Sequence, residues 1–414
     1  MASPSIPAEF PRSVLLSAVL LVFAVLSCPA TDTQQKSPSN HSFDQVAALA
    51  KQASEANDLK EAIPLYRQAL GLRPQWAEGW WMLGTILYDR DIYLEAARAF
   101  RKVVALQPDH GSARVMLGLC EFELGQDGSA LRDIEKGKQL GVLKDPQLRR
   151  VMLYHEGVLL LRKNRFEAAQ QSFDLLNQDE VEVEGDDFLL ALGMAVLRMR
   201  PETLPPAGST AREIVLLAGK AEWFAASKKF NEARQEYSSL ANEYSDMENI
   251  HYAFGRFLLE IREIDAAVAE FQREIQNNPQ HVLARLEIAA VRYTLDSADG
   301  VKYAEQAVKL DPKRPFGHYL LGLLYLDTRN FSGAISELEI AKHTYVNFPE
   351  IYFALGNAYA RAGRKAEAAR ARATFTRLNA QRKKQSDDKV YDEYPRGLSQ
   401  EKLGAEPEKN PPDL

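Results

Sequence analysis

Cysteine is nearly absent from this 414-residue chain: Cys28 and Cys120 are the two it has, too few for a disulfide framework. Cys120 falls in an apolar helical stripe, so no redox role follows for it. The seven histidines form no H-E-x-x-H and no paired Cys/His spacing, which excludes the common zinc sites. No G-x-x-x-x-G-K-[ST] or G-x-S-x-G occurs, so a phosphate-cradling loop and a serine nucleophile elbow are both missing. The acidic cluster Asp179, Glu180, Glu182, Glu184, Asp186 and Asp187 lacks the ligand spacing and central glycine of a calcium loop and reads as a solvated turn. No catalytic residue, metal or cofactor is therefore expected. Positive charge is not in excess either: 51 Lys and Arg stand against 57 Asp and Glu, a formal net charge of -6, which argues against a general nucleic-acid binder. A strand-like alternation of apolar and polar residues is missing throughout, and the charge-free stretch Val14 to Leu26 is shorter than the ~20 residues that span a bilayer.

What the chain has in abundance is one pattern. In AEGWWMLGTILYDRDIYLEAARAFRKVVALQPDH, the 34 residues from Ala77 to His110, Trp80, Leu83, Gly84 and Leu87 share one face of a first helix, and Ala96, Phe100 and Val103 repeat the stripe on a second. Gly84 and Ala96 are small where the helices would cross, and Pro108 ends the second helix for want of an N–H. The pattern recurs in register. Glu248 to His281 supplies His251, Phe254, Gly255, Leu258, Ala267, Phe271 and Pro279; Pro315 to Phe348 supplies His318, Leu321, Gly322, Tyr325, Ala334, Leu338 and Ala341; Pro349 to Arg382 supplies Tyr352, Leu355, Gly356, Tyr359, Ala368 and Phe375. Looser copies run from Phe43 to Trp76, Gly111 to Arg149, Arg150 to Val183 and Ile214 to Met247, and Val282 to Arg314 aligns after one deletion in its turn. His251 and His318 replace the first aromatic of the pattern and are expected to pack between helices.

The spacing W-x2-L-G-x2-[L/Y]…A-x3-F…P resembles the tetratricopeptide repeat over residues 43–382. The resemblance implies an all-α fold, an α-solenoid in which helix-turn-helix units build a right-handed superhelix. Four repeats occupy 43–183 and five occupy 214–382. Between them, 184–213 holds one helix, Asp186 to Met199, followed by RPETLPPAGST, whose prolines and glycine forbid a regular second helix.

Both ends depart from the pattern. Residues 1–30, with Arg12 ahead of the apolar run and small residues after it, have the form of a signal peptide, so the chain is expected to be exported, whether periplasmic, envelope-associated or secreted. Val25-Leu26-Ser27-Cys28 resembles a bacterial lipoprotein box, although Leu26 and Pro29 depart from it; lipidation of Cys28 and cleavage after Ala30 both stand open. Residues 31–42 read as a polar linker and 383–414 as a disordered polar tail. From Arg361 to Lys384 nine cations face the single acid Glu367, either as a charged cap on the last repeat or as a docking face for an anionic surface. A lipid on Cys28 and this basic helix are the two routes by which a membrane would be reached.

In the family the chain resembles, first helices line the concave face, and their exposed positions lie between the signature residues. Here those positions hold Trp81, Tyr88, Phe122, Tyr154, Leu161, Tyr252, Tyr293, Phe316, Tyr319 and Phe353, with Arg256, Asn357 and Arg361 as polar groups that fix orientation. Such rings predict a groove for a segment of another protein. The two-lysine, two-asparagine, one-arginine clamp that some members close on a terminal carboxylate is matched only at Asn357; Phe353 stands where a clamp lysine would. The expectation is a non-enzymatic scaffold that binds a peptide or helix of a partner protein, in envelope assembly or secretion. Its rival is an accessory or substrate-presenting module of an envelope enzyme such as a glycosyltransferase or peptidase.

Overall fold

The computed structural model describes residues 42–141, 146–177 and 186–382. The signal peptide, Cys28, the linker as far as residue 41, most of the acidic cluster and the polar tail lie outside the described residues. Within them the fold is all-α: nineteen α-helices, one short 3₁₀ turn and no strand. No described helix is long and apolar enough to cross a membrane. In order the helices are α1 Phe43–Glu55, α2 Leu59–Leu72, α3 Ala77–Asp89, α4 Tyr93–Leu106, α5 Gly111–Glu123, α6 Asp127–Leu140, α7 Pro146–Arg162, α8 Phe166–Asn177 and α9 Asp186–Val196. The 3₁₀ turn Pro201–Thr203 stands where a second helix would follow α9, because Pro201, Pro205 and Pro206 withhold the N–H groups a ladder needs. Then come α10 Thr210–Ala226, α11 Phe230–Glu243, α12 Ile250–Glu260, α13 Ile264–Asn277, α14 Val282–Leu295, α15 Ser297–Leu310, α16 Pro315–Asp327, α17 Phe331–Thr344, α18 Pro349–Arg361 and α19 Lys365–Arg382. The chain divides into two compact units, one of residues up to 195 with 199–204, the other of 196–198 with 205 onward.

All but one of the described two-helix repeats turn in the same way. A residue with left-handed backbone follows the first helix at Asn57, Asp91, Gly125, Asn164, Lys228, Arg262, Arg329 and Gly363. The N–H after it donates five residues back, as in Ile92 to the Leu87 carbonyl (2.9 Å) and Glu263 to the Leu258 carbonyl (2.8 Å), which satisfies carbonyls the helix end would leave bare. One repeat lacks this residue. Between α14 and α15 a single residue, Asp296, ends one helix and caps the next, its carboxylate accepting from the Asp299 N–H at 3.2 Å. That is the deletion the sequence alignment required.

The first and second helix of a repeat close through a socket. A Cβ added to Gly84 would stand 2.9 Å from the Phe100 ring, one on Gly255 2.6 Å from Phe271, and one on Gly322 2.6 Å from the Leu338 side chain. Gly157 meets Phe173 in the same way. The last repeat differs: the stem of Arg372, not a ring, lies over Gly356, and Phe375 instead packs on Phe353 with ring centroids 5.5 Å apart. The fourth residue of the repeat ties down the loop before it. Trp80 donates to the Pro74 carbonyl (2.8 Å), Tyr352 to that of Val346 (2.9 Å), and a ring nitrogen of His318 meets that of Pro312 (2.9 Å). His318 and His251 are both buried, and a ring nitrogen of each meets a carboxylate, Glu337 and Glu270 respectively.

One carboxylate inside the second unit replaces a missing cap. Asn249 ahead of α12 adopts left-handed backbone and offers no side-chain cap. Glu274 of α13, with no exposed surface, reaches across to accept the N–H groups of Asn249 (2.9 Å) and Tyr252 (3.1 Å). Burial pushes the Glu274 carboxyl upward, and the two N–H donors hold it back.

Candidate functional site

The inner face is built from the fifth, ninth, twelfth and thirteenth residues of successive first helices, counting Ala77 as the first of its repeat. The fifth residue is where the sequence placed most of its rings, and the structure gives it a different task. Trp81 stacks on His110 with centroids 5.2 Å apart, Tyr252 lies 5.0 Å from His281, and Tyr319 meets Phe348 edge-on at 5.6 Å. His110, His281 and Phe348 are the cap residues that open the next first helix, α5, α14 and α18. The ring thus fastens one repeat to the start of the following one.

This corrects the groove expected from sequence. Tyr252, Phe316 and Tyr319 are 1–2% exposed, Tyr154 is 3% exposed, Leu161 is fully buried, and Phe122 is covered by His155 and by the Arg162 guanidinium. These six residues fill seams between neighbouring helices, because each adjacent repeat covers the flank that a single helix would leave open. Burial pushes the Tyr154 hydroxyl up to about 12, so it is un-ionised at neutral pH.

What stays partly open is smaller and divided between the units. In the first unit Trp81 and Tyr88 are half-buried, Tyr88 edge-on to Tyr93 at 5.5 Å. In the second unit Arg256, Tyr293, Phe353 and Asn357 are half-buried and Arg361 is exposed. Arg256 lies over the Tyr252 ring, its guanidinium carbon 5.8 Å from the centroid, so it carries charge to the face beside a buried ring. Among the described residues no group of three His, Cys, Asp or Glu side chains could hold a metal ion, and Cys120 is buried with its thiol pushed up to about 12.

Asp89 went unnoticed in the sequence. It closes α3 beside Tyr88, its Oδ2 is buried, and no partner for that atom exists among the described residues. The available signal was an acid in the last turn of an apolar helix, where the helix dipole disfavours negative charge. Burial pushes its carboxyl up to about 6 from 3.8. Between those values the folded chain keeps a proton that the unfolded chain releases, so this group's contribution to stability falls as pH rises through that window. Asp89→Asn should remove that slope and raise stability at pH 7 by ~1 kcal/mol, a figure discounted for partial solvent screening. Melting temperature against pH for both chains measures it; parallel curves would show that Asp89 titrates normally.

The family model for the tetratricopeptide repeat matches residues 47–101, 91–137 and 319–374, and the chain carries tetratricopeptide repeats there. No curated protein matches the chain. Among solved structures it is similar to the Cut9–Hcn1 hetero-tetramer of the APC/C, at 12% identity over 82% of this chain and 88% of that one, with a TM-score of 0.35. It is similar also to a tetratricopeptide repeat protein from Parabacteroides merdae, at 14% identity over 76% of this chain and 98% of that one, TM-score 0.31. A third is the ArsTM double mutant of MamA from RS-1, at 20% identity over 42% of this chain and 98% of that one, TM-score 0.39.

Proposed function

We propose that this chain is an exported scaffold that holds an extended segment of a partner protein along the first helices of its second unit, within envelope assembly or secretion. Export rests on the signal-peptide form of residues 1–30. The observation that carries the binding site is the set Arg256, Tyr293, Asn357 and Arg361, which stays half-open or exposed on α12, α14 and α18 while Tyr252, Phe316 and Tyr319 are buried. With α16 between α14 and α18 these helices span four successive repeats, so at ~10 Å per packed helix the face runs about 30 Å, the reach of about nine extended residues. Two arginines and an amide present donors, which suits a segment rich in backbone carbonyls and carboxylates.

The test begins with capture from membrane and soluble envelope fractions on the full chain, with the captured segment then synthesised. Arg256→Ala, Asn357→Ala and Arg361→Ala combined should weaken its binding about tenfold to a hundredfold, as lost charge-assisted hydrogen bonds would. The melting temperature should barely move, since such surface changes cost little. An unchanged affinity by titration calorimetry would place the partner elsewhere.

A further inference from the structure

The last helix breaks the charge pattern of the unit it closes. The second helices before it, α11, α13, α15 and α17, each carry at least as many acids as bases. In α19, Lys365, Arg370, Arg372, Arg377 and Arg382 stand against Glu367 alone, in a chain whose net charge is -6. A helix that merely capped the array would need polar residues of either sign. A reversal of sign confined to one helix asks for an anionic counterpart.

One of those cations is spoken for, and so is the single acid. Arg382 pairs with Glu350 of α18, and Glu367 is held by Arg364 at 2.9 Å. Lys365, Arg370, Arg372 and Arg377 are exposed, and none lies within ion-pair distance of a carboxylate among the described residues. The inner side of the helix is Ala368, Ala371 and Leu378, with Phe375 against Phe353. Helical spacing then places Ala366, Ala369, Ala373 and Ala380 outward, with Lys365 and Arg372 along one flank and Arg370 and Arg377 along the other. All four alanines are exposed.

The occupant follows from that arrangement. A peptide or folded domain is gripped by large apolar or aromatic anchors in pockets, and the outer face of α19 has neither. Short side chains between two rows of long cations let the helix lie flat, with guanidinium and ammonium groups reaching down on both sides toward a surface dense in phosphate. We infer that the outer face of α19 docks on an anionic lipid bilayer through the phosphate groups of its lipids. This surface is separate from the first-helix face proposed to hold a protein segment, so either can fail without the other.

The full chain is mixed with vesicles of phosphatidylglycerol and phosphatidylcholine, or of phosphatidylcholine alone, and sedimented. Any attachment through Val14 to Leu26 adds equally to both vesicle types, so the difference between them reports the basic face. The wild type should prefer the mixed vesicles, and salt should erase the preference. Lys365→Gln, Arg370→Gln, Arg372→Gln and Arg377→Gln together should lower the charge-dependent partition about a hundredfold or more, taking about 1 kcal/mol per cation. Glutamine keeps helix propensity, and an unchanged circular dichroism spectrum and melting temperature confirm the fold. A charge-matched control, Lys51→Gln, Lys60→Gln, Lys102→Gln and Lys136→Gln on exposed sites of the first unit, should keep the preference. The inference is overturned if the wild type shows no preference or if both quadruple variants lose it equally. It is likewise overturned if the face retains duplex DNA or polyglutamate, but not the mixed vesicles, at matched salt.

Discussion

Replacing Gly255 with leucine is expected to break the second unit. A first carbon on that residue would already stand 2.6 Å from Cε1 and 2.8 Å from Cδ1 of Phe271, whose ring has no exposed surface. The ring cannot swing aside, because Tyr252 packs against it with centroids 5.9 Å apart. The added bulk must therefore push α12 from α13, which strains the Glu274 hydrogen bonds to Asn249 and Tyr252 as well. Overpacking of this kind costs about 3 kcal/mol or more where backbones are forced apart. Gly71→Ala is the matched control: it lies inside α2 with nothing within 4 Å of an added Cβ, so alanine should stabilise by ~0.5–1 kcal/mol through helix propensity. Urea unfolding followed by circular dichroism separates the two, and a Gly255→Leu chain with the wild-type midpoint would mean that the socket is open.

Tyr252→Ala and Phe316→Ala are expected to act on the fold, not on a partner. From sequence these rings belonged to the groove, where truncation would cost affinity and spare stability. At 2% exposure each, they are core. Tyr252 sits among Phe271 and His281, and Phe316 lies against Tyr319 with centroids 6.2 Å apart, in the cluster that includes Leu286, Ala289, Leu320 and Ile351. Deleting a buried aromatic removes its transfer free energy and leaves a cavity, together ~3–5 kcal/mol. Both variants should unfold at clearly lower urea than the wild type. Phe353→Ala, half-buried on Phe375, should cost less than either. If Tyr252→Ala instead keeps the wild-type midpoint and loses a bound segment, the inner face is more open than its burial states.

The repeats were readable because their signature is local. Gly84 and Phe100, or Gly255 and Phe271, stand sixteen residues apart in one hairpin, and their sizes must match wherever that hairpin folds. The open face was not readable, because exposure of the fifth residue depends on a partner at the end of the repeat, as with Trp81 and His110 or Tyr252 and His281. Helical periodicity shows which side of a helix a residue is on. It does not show whether the next repeat covers that side. The basic last helix was plain from composition, but that Arg382 alone among its cations is spent on Glu350 needed the fold. Asp89 needed it too, since an acid in the last turn of an apolar helix marks an ill-placed charge but not that one of its oxygens is shut away from water.

The connection at Asp296 shows how the array treats an error of length. The repeat from Val282 to Arg314 has lost the residue that elsewhere adopts left-handed backbone, yet α15 ends at Leu310 and α16 begins at Pro315, with Tyr319, Gly322 and Leu338 placed as in complete copies. In a β-sheet the same loss would turn every later side chain to the wrong face. Here the next cap starts the count afresh, so the array behaves like a text whose reading frame is restored at each full stop, and a deletion is confined to the sentence in which it occurs.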